Sequence, residues 1–274
     1  MTKKSCLRLY LGAGLTFAVL FTASPARAQY SPPAIGSPAT GEQFVIELSG
    51  AYWYPTADIS VASTSLNVVG TDVNLKNDLG LTDDRFPMFK IVLKPKAKHK
   101  IRFQYIPISY SQTAAPTRVL TFAGQTFARS VPINSTLDWK AYEFGYEYDF
   151  VSSNYMFVGA ILEAKYTDVS ANLTSAVVAG ANSVKAPIPA VGAIARAYLA
   201  PNLSLTGELT GIKVPSIHSF SGHYADVDVY ATLNLTRRIG AQAGYRAMDV
   251  SFGASDDSGS MTLKGAYIGG VLRY

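Results

Sequence analysis

The chain has 274 residues, 48% hydrophobic and only 16% charged, with a formal net charge of +5 and one cysteine. Soluble domains carry about 25% charged residues, so this chain has little charge for a surface that faces water throughout. The positive balance is concentrated at the start, where Lys3, Lys4, Arg8 and Arg27 account for four of the five net charges. Removing them leaves about +1, which excludes the basic face that nucleic-acid binding requires.

Residues 1–28 read as a secretory signal peptide. Lys3, Lys4 and Arg8 precede the apolar run Leu9 to Ala23, and Ala26 and Ala28 place small residues at the cleavage positions. Cys6 lies before the apolar run, so no lipid-anchoring cysteine follows the cut, and the remaining 246 of 274 residues contain none. That length suits one domain. No later segment supplies the ~18 apolar residues of a membrane-spanning helix. Residues 29–42 are rich in Pro, Ser, Gly and Ala and form an irregular lead-in; 43–274 are the structured domain.

From there the chain alternates with a period of two, the signature of strands with unlike faces. Phe44 to Tyr54 sets Phe44, Ile46, Leu48, Tyr52 and Tyr54 against Gln43, Glu47 and Ser49. Pro55 to Asp84 is a long polar connection with short strands near Ser60–Val69 and Asp72–Leu75. Arg85 to Lys94 opposes Phe89, Ile91 and Leu93 to Lys90, Val92 and Lys94, and Pro95 to Lys98 turns. His99 to Tyr110 returns, with Ile101, Phe103 and Tyr105 against Lys100, Arg102 and Gln104. Pro107 has no amide hydrogen and marks a bulge or an edge there. Ser111 to Asn134 is a second long connection with a hairpin at Ala123-Gly124.

Ser135 to Phe150 carries Tyr142, Phe144, Tyr146, Tyr148 and Phe150 between Glu143, Gly145, Glu147 and Asp149. After a turn at Val151–Asn154, Tyr155 to Thr167 opposes its apolar set to Glu163 and Lys165. Asp168 to Lys185 reads as a loop. Ile188 to Leu199 bears Arg196, Leu203 to Ile212 bears Glu208, and Tyr224 to Leu235 bears Asp226 and Asp228. Ile239 to Met248 bears Arg246, Ser251 to Ser260 is a polar loop, and Met261 to Tyr274 bears Arg273.

The result is all-β: about ten strands of ~10 residues, each long enough to cross a bilayer at a tilt. Eight or twelve strands are the alternatives. Short connections (Pro95, Val151, Ala200, Thr236) alternate with long ones (Pro55, Ser111, Asp168, Lys213, Ser251). One strand face is nearly free of charge across the whole set. The other collects Glu47, Lys90, Arg102, Glu143, Glu147, Glu163, Lys165, Arg196, Glu208, Asp226, Asp228, Arg246 and Arg273. A soluble sandwich would have to bury Tyr142, Tyr146, Tyr148, Tyr166 and Tyr245, each hydroxyl needing a partner. Facing lipid, the same tyrosines form interfacial girdles. The expectation is a closed antiparallel barrel with its apolar face outward, closed because an open sheet edge in hydrocarbon leaves costly unpaired amides. Lys264 departs from the pattern, lying by parity on the apolar face.

The terminal strand, with Leu272 and Tyr274 on its apolar face, resembles the closing strand of bacterial outer-membrane β-barrels, and the whole stretch Phe44–Tyr274 resembles the small members of that group. The resemblance implies outer-membrane lipid as surroundings, insertion machinery that reads the Leu272–Tyr274 strand, both termini on the periplasmic side, and long loops outside for an unnamed ligand. Some such barrels are enzymes: omptin proteases use paired acids and a His–Asp pair at the rim, and lipid A-modifying barrels use Ser and His. Asp83, Asp84, Asp256, Asp257, His218, His223, Ser219 and Ser221 are the candidates here, without either full motif. His99 reads as structural. The expectation is therefore no catalysis, no metal and no cofactor.

Adding Lys94, Lys100 and Asp149, the charged face carries eight acids and eight bases. A selective pore would show an excess of one sign. Ten strands lie near the eight whose interior side chains fill. A filled lumen with displayed loops, in a structural or surface-binding role, is expected. A narrow pore or small-molecule conduit is the alternative.

Overall fold

The computed structural model describes residues 39–63, 69–217, 220–254 and 257–274. The signal peptide with Ala26 and Ala28, most of the lead-in, and His218, Ser219 and Asp256 lie outside them.

Fourteen elements follow one another: β1 (Ile46–Ser63), β2 (Val73–Asn74), α1 (Leu75–Leu79), β3 (Phe86–Lys96), β4 (His99–Ala114), β5 (Leu120–Phe122), β6 (Gln125–Phe127), β7 (Ile133–Ser152), β8 (Met156–Thr174), β9 (Ala179–Ala200), β10 (Leu203–Ile217), β11 (Phe220–Asn234), β12 (Ile239–Ala254) and β13 (Asp257–Arg273). Ten of them form one antiparallel sheet in the order β1-β3-β4-β7-β8-β9-β10-β11-β12-β13, and β13 pairs back onto β1. That ladder runs unbroken from Glu47↔Arg273 to Ser63↔Asp257. The barrel is closed, so its wall has no first or last edge.

Parity places the side chains as the physics requires. Leu48, Tyr52, Phe89, Ile101, Phe144, Leu162, Val191, Leu209, Val229, Tyr245, Ile268 and Leu272 are exposed outward. Glu147, Lys165, Arg196, Asp226 and Arg246 are buried inward. Lys264 is exposed on the outer wall, two residues from Ala266, whose cross-strand partners are Tyr54 and Tyr245. Tyr105 and Tyr142 stack at 4.8 Å, with Tyr166 beyond at 6.4 Å, forming an aromatic row around that side of the wall.

Several expectations need correction. Most of the expected loops Asp168–Lys185 and Ser251–Ser260 is strand: residues 168–174 and 179–185 extend the β8–β9 hairpin to Thr174↔Ala179, and 251–254 and 257–260 extend β12–β13 to Ala254↔Asp257. The apolar alternation fades there because both faces carry small or polar residues, while the backbone ladder does not depend on side-chain polarity. Phe44 precedes β1 and is buried at the base of the lumen, not outward. Pro107 sits in an unshifted β4–β7 ladder, so it marks an edge and not a bulge.

The charged inner face also occupies only half the barrel. Toward the long-connection end, the inward residues are Trp53, Ile59, Ile106, Ile108, Trp139 and Leu263, all essentially inaccessible. This apolar section is filled by two folded-in connections. In the first, Asn74 caps α1 by accepting from the Asn77 amide at 2.9 Å. Gly80 ends α1 in the left-handed region at φ 65°, as helix termini commonly do. The turn delivers Leu75, Leu79 and Leu81 to the core. In the second, β5 and β6 form the expected hairpin, turning through Ala123 (φ 51°) and Gly124 (φ 73°), and bury Leu120, Phe122 and Phe127. Two positive φ values are what a tight two-residue hairpin turn needs.

Candidate functional site

The functional candidate is the lumen, and its construction starts at the short-turn end. Lead-in residues 39–44 fold across this mouth. The Thr40 amide donates to the Pro201 carbonyl at 2.8 Å, and the Asn234 amide nitrogen donates to the Thr40 carbonyl at 2.6 Å. Arg196 donates to the Glu42 carboxylate at 2.7 Å, and Lys94 to the Glu42 carbonyl at 3.0 Å. The Phe44 ring lies 5.1 Å from the Lys94 ammonium and 5.9 Å from the Arg273 guanidinium. An aromatic face attracts such cations.

Above this floor the inward charges meet across the barrel. Glu47 accepts from Arg273 at 2.5 Å. Lys100 reaches Glu147 at 2.6 Å and Asp149 at 2.9 Å. Arg102 bridges Glu147 at 3.0 Å and Glu208. Glu208 also accepts from Lys90 at 2.8 Å and from the Tyr230 hydroxyl at 2.7 Å. Lys165 lies 2.8 Å from Glu163, 3.1 Å from Glu143 and 3.4 Å from Asp226. Arg246 ties Asp226 to Glu143 at 2.5 and 3.1 Å. Asp228 accepts from the Tyr267 hydroxyl at 2.9 Å. All thirteen charged residues singled out in the sequence thus have a polar partner in the lumen.

Burying a charge is costly unless it is paired and hydrogen-bonded, and pairing of this density is what that cost demands. The remaining space is small. Three cavities in this section measure about 30, 20 and 20 Å³ and are lined by the network itself, by Lys90, Gln104, Asp228 and Gln242 in the first. Each holds no more than one or two waters.

Sequence reasoning missed Glu42 and Phe44 as floor residues, because an irregular lead-in has no parity from which to read direction. It also missed the apolar cap. The four-residue spacing of Leu75 and Leu79 between Asn74 and Gly80 was the available signal.

The loop candidates do not assemble into one site among the described residues. His223 and Asp249 lie 3.1 Å apart, but on the outer wall, both about half exposed. Asp83 accepts from the Ala57 amide at 3.1 Å and faces Lys76 at 3.6 Å, a structural role for the first cap. Asp257 accepts from the Asn182 amide nitrogen at 3.1 Å. His99 pairs with the Tyr146 hydroxyl at 2.6 Å on the outer wall. Among the described residues, no group of three or more His, Cys, Asp or Glu is arranged to hold a metal ion.

No protein-family model matches the chain, and no curated protein matches it. Solved structures do. The outer-membrane protease OmpT from Escherichia coli superposes with a TM-score of 0.53 at 7% identity, covering 84% of this chain and 96% of that one. Ail, the attachment invasion locus protein of Yersinia pestis, gives 0.36 at 11% identity over 84% and 99%. The Pseudomonas putida toluene transporter TodX gives 0.34 at 8% over 88% and 93%. Only the first score is high enough to inform the fold, and its identity is too low to carry an activity across. Together with the closed sheet and its outward apolar face, it shows that this chain has the fold of a ten-stranded bacterial outer-membrane β-barrel.

Proposed function

We propose that the chain is an integral outer-membrane protein whose lumen is sealed along its axis, and whose work is done by its wall and its long-connection end. The observation that carries this reading is the lumen itself: paired charges with cavities of about 30 Å³ or less below, and an apolar cap above. A conduit needs a continuous path, which paired charges below and a packed apolar cap above both work against. Short turns face the periplasm in this reading, with both termini beside them, and the long connections face outward in a structural or surface-binding role. β13 carries Ile268, Leu272 and Tyr274 to the lipid side and is the strand offered to the insertion machinery. We read the protein as non-enzymatic. The exposed His223–Asp249 pair points away from the lumen, and Asp83 is engaged in holding the cap.

Purified protein reconstituted in a planar bilayer is expected to show no steady unitary conductance. Reproducible large current steps would defeat the sealed reading and establish the conduit.

A further inference from the structure

Two seams in the barrel wall lack ladder hydrogen bonds in their long-connection half, and prolines face both. Between β3 and β4 the ladder ends at Phe89↔Tyr105. The Lys94 amide donates to the Val45 carbonyl, so even residues of β3 face β1 and Pro87 faces β4. The Asp149 amide donates to the Lys98 carbonyl, so even residues of β4 face β7 and Pro107 faces β3. This seam is occupied by the chain itself. β2 pairs with the upper part of β1, Asp83 caps the Ala57 amide, and Gly80 abuts Ala114.

The second seam lies between β9 and β10. Their ladder ends at Val191↔Gly211, although β9 continues on β8 to Ala179 and β10 continues on β11 to Val214. The Tyr198 amide donates to the Tyr155 carbonyl, and the β8–β9 register is unshifted. Pro187 and Pro189 therefore turn their amide-less side toward β10. The Asn234 amide donates to the Asn202 carbonyl, so odd residues of β10 as far as Lys213, before the register shift that follows Val214, turn toward β9. Among the described residues, no strand pairs with this edge of β9 above Val191. The two missing donors of β9 also mean that no added strand could complete the ladder.

The unpaired part of the seam lies at an informative height. Pro187 is the cross-strand partner of Tyr166, in the aromatic row of the outer wall. Its inner lining is apolar: Ala190 is 1% exposed, and Ile188 and Ile212 pack against the capped apolar core. By continuation of the register Lys213 lies opposite Pro189 and is exposed, an ammonium at the interfacial end of an apolar slot. A hydrocarbon chain needs no hydrogen bonds from the edges it passes between. An anionic headgroup would meet Lys213.

Building on the outer-membrane reading, we propose that the β9–β10 seam is a lateral opening through which the hydrocarbon chain of an anionic outer-leaflet lipid reaches the apolar half of the lumen. The barrel is then sealed to solutes along its axis and open sideways to lipid.

The test uses the reconstituted protein in a Cys6→Ser background and a long-chain N-alkylmaleimide dissolved in the bilayer. Three single cysteines are compared: Leu162→Cys on the outer wall, Ala190→Cys behind the seam, and Ala141→Cys on the inner face of the fully laddered β7. Ala190→Cys is expected to react several-fold faster than Ala141→Cys. Restoring amides with Pro187→Val and Pro189→Val together should remove that advantage. Equal rates at Ala190→Cys and Ala141→Cys, or an advantage that survives the two restored amides, would overturn the opening. Failure to label Leu162→Cys would instead refute the lipid-facing wall on which it rests.

Discussion

Glu208 offers the sharpest probe of the lumen. It accepts from Lys90 at 2.8 Å, from the Tyr230 hydroxyl at 2.7 Å and from Arg102, so Glu208→Leu removes the anion at which three donors converge. The consequences differ among them. Arg102 keeps Glu147 at 3.0 Å. The Tyr230 hydroxyl still lies 3.4 Å from the Arg196 guanidinium, but that group only donates, so the hydroxyl loses its acceptor. Lys90 loses its recorded carboxylate while its side chain is only 17% exposed. Orphaning one partner of a buried pair costs about 3–5 kcal/mol, and partial access of Lys90 to water puts the expected loss near 3 kcal/mol. Glu208→Leu with Lys90→Met removes both charges. Replacing a buried pair by apolar groups is near neutral, so the double variant should be more stable than Glu208→Leu alone. Denaturant unfolding in lipid vesicles, followed by tryptophan emission from Trp53 and Trp139, measures the parent, Glu208→Leu, Lys90→Met and the double variant. A loss under about 1 kcal/mol for Glu208→Leu, or additive losses in the double variant, would refute the account of a desolvated, mutually dependent network.

Two further predictions concern the long-connection end. On intact cells, a membrane-impermeant thiol reagent should label Val177→Cys, whose native side chain is 86% exposed at the β8–β9 tip, and should spare Lys98→Cys in the β3–β4 turn; the opposite pattern would invert the topology. Asp78 should make the first cap acid-sensitive. Its hydrogen bonds from Arg118, at 2.6 and 2.8 Å, hold its carboxylate below the ordinary range. A depressed carboxylate contributes stability above its unfolded pKa and loses it as pH falls through the folded one. Protection of the amides at 75–81, taken relative to their intrinsic exchange rate at each pH, should therefore fall in acid below the usual Asp range, and Arg118→Ala should abolish that dependence. An acid response unchanged in Arg118→Ala would rule the pair out as its cause.

What the sequence disclosed, and what it concealed, follows from one difference. Where the wall meets lipid, every second residue must be apolar, so Phe144, Tyr146 and Tyr148 between Glu143, Glu147 and Asp149 reveal strand, face and direction together. The charged set could be read for the same reason. Beyond the lipid, stretches such as Ala179–Lys185 keep their ladder through backbone bonds that any residue can make, and composition alone makes them look like loops. The cap was hidden differently. Trp53, Ile106 and Ile108 alternate with Tyr52, Tyr54, Tyr105, Pro107 and Ser109, none of them charged, so periodicity cannot say which face is inside. Pro87, Pro107, Pro187 and Pro189 were visible as prolines, yet their shared role appears only once register shows which neighbour each faces.

The central claim is that the outward apolar face meets lipid, and Val229 tests it most directly. Val229 is 44% exposed, mid-way along the outward run from Ala225 to Leu233 on β11, beside Tyr245 and Gly207. Arginine at a lipid-facing midplane site costs about 2–4 kcal/mol. The measurement is the unfolding free energy of Val229→Arg relative to the parent in lipid vesicles. A loss of about 2–4 kcal/mol is predicted. A change within about 0.5 kcal/mol, as for a site open to water, would contradict the account.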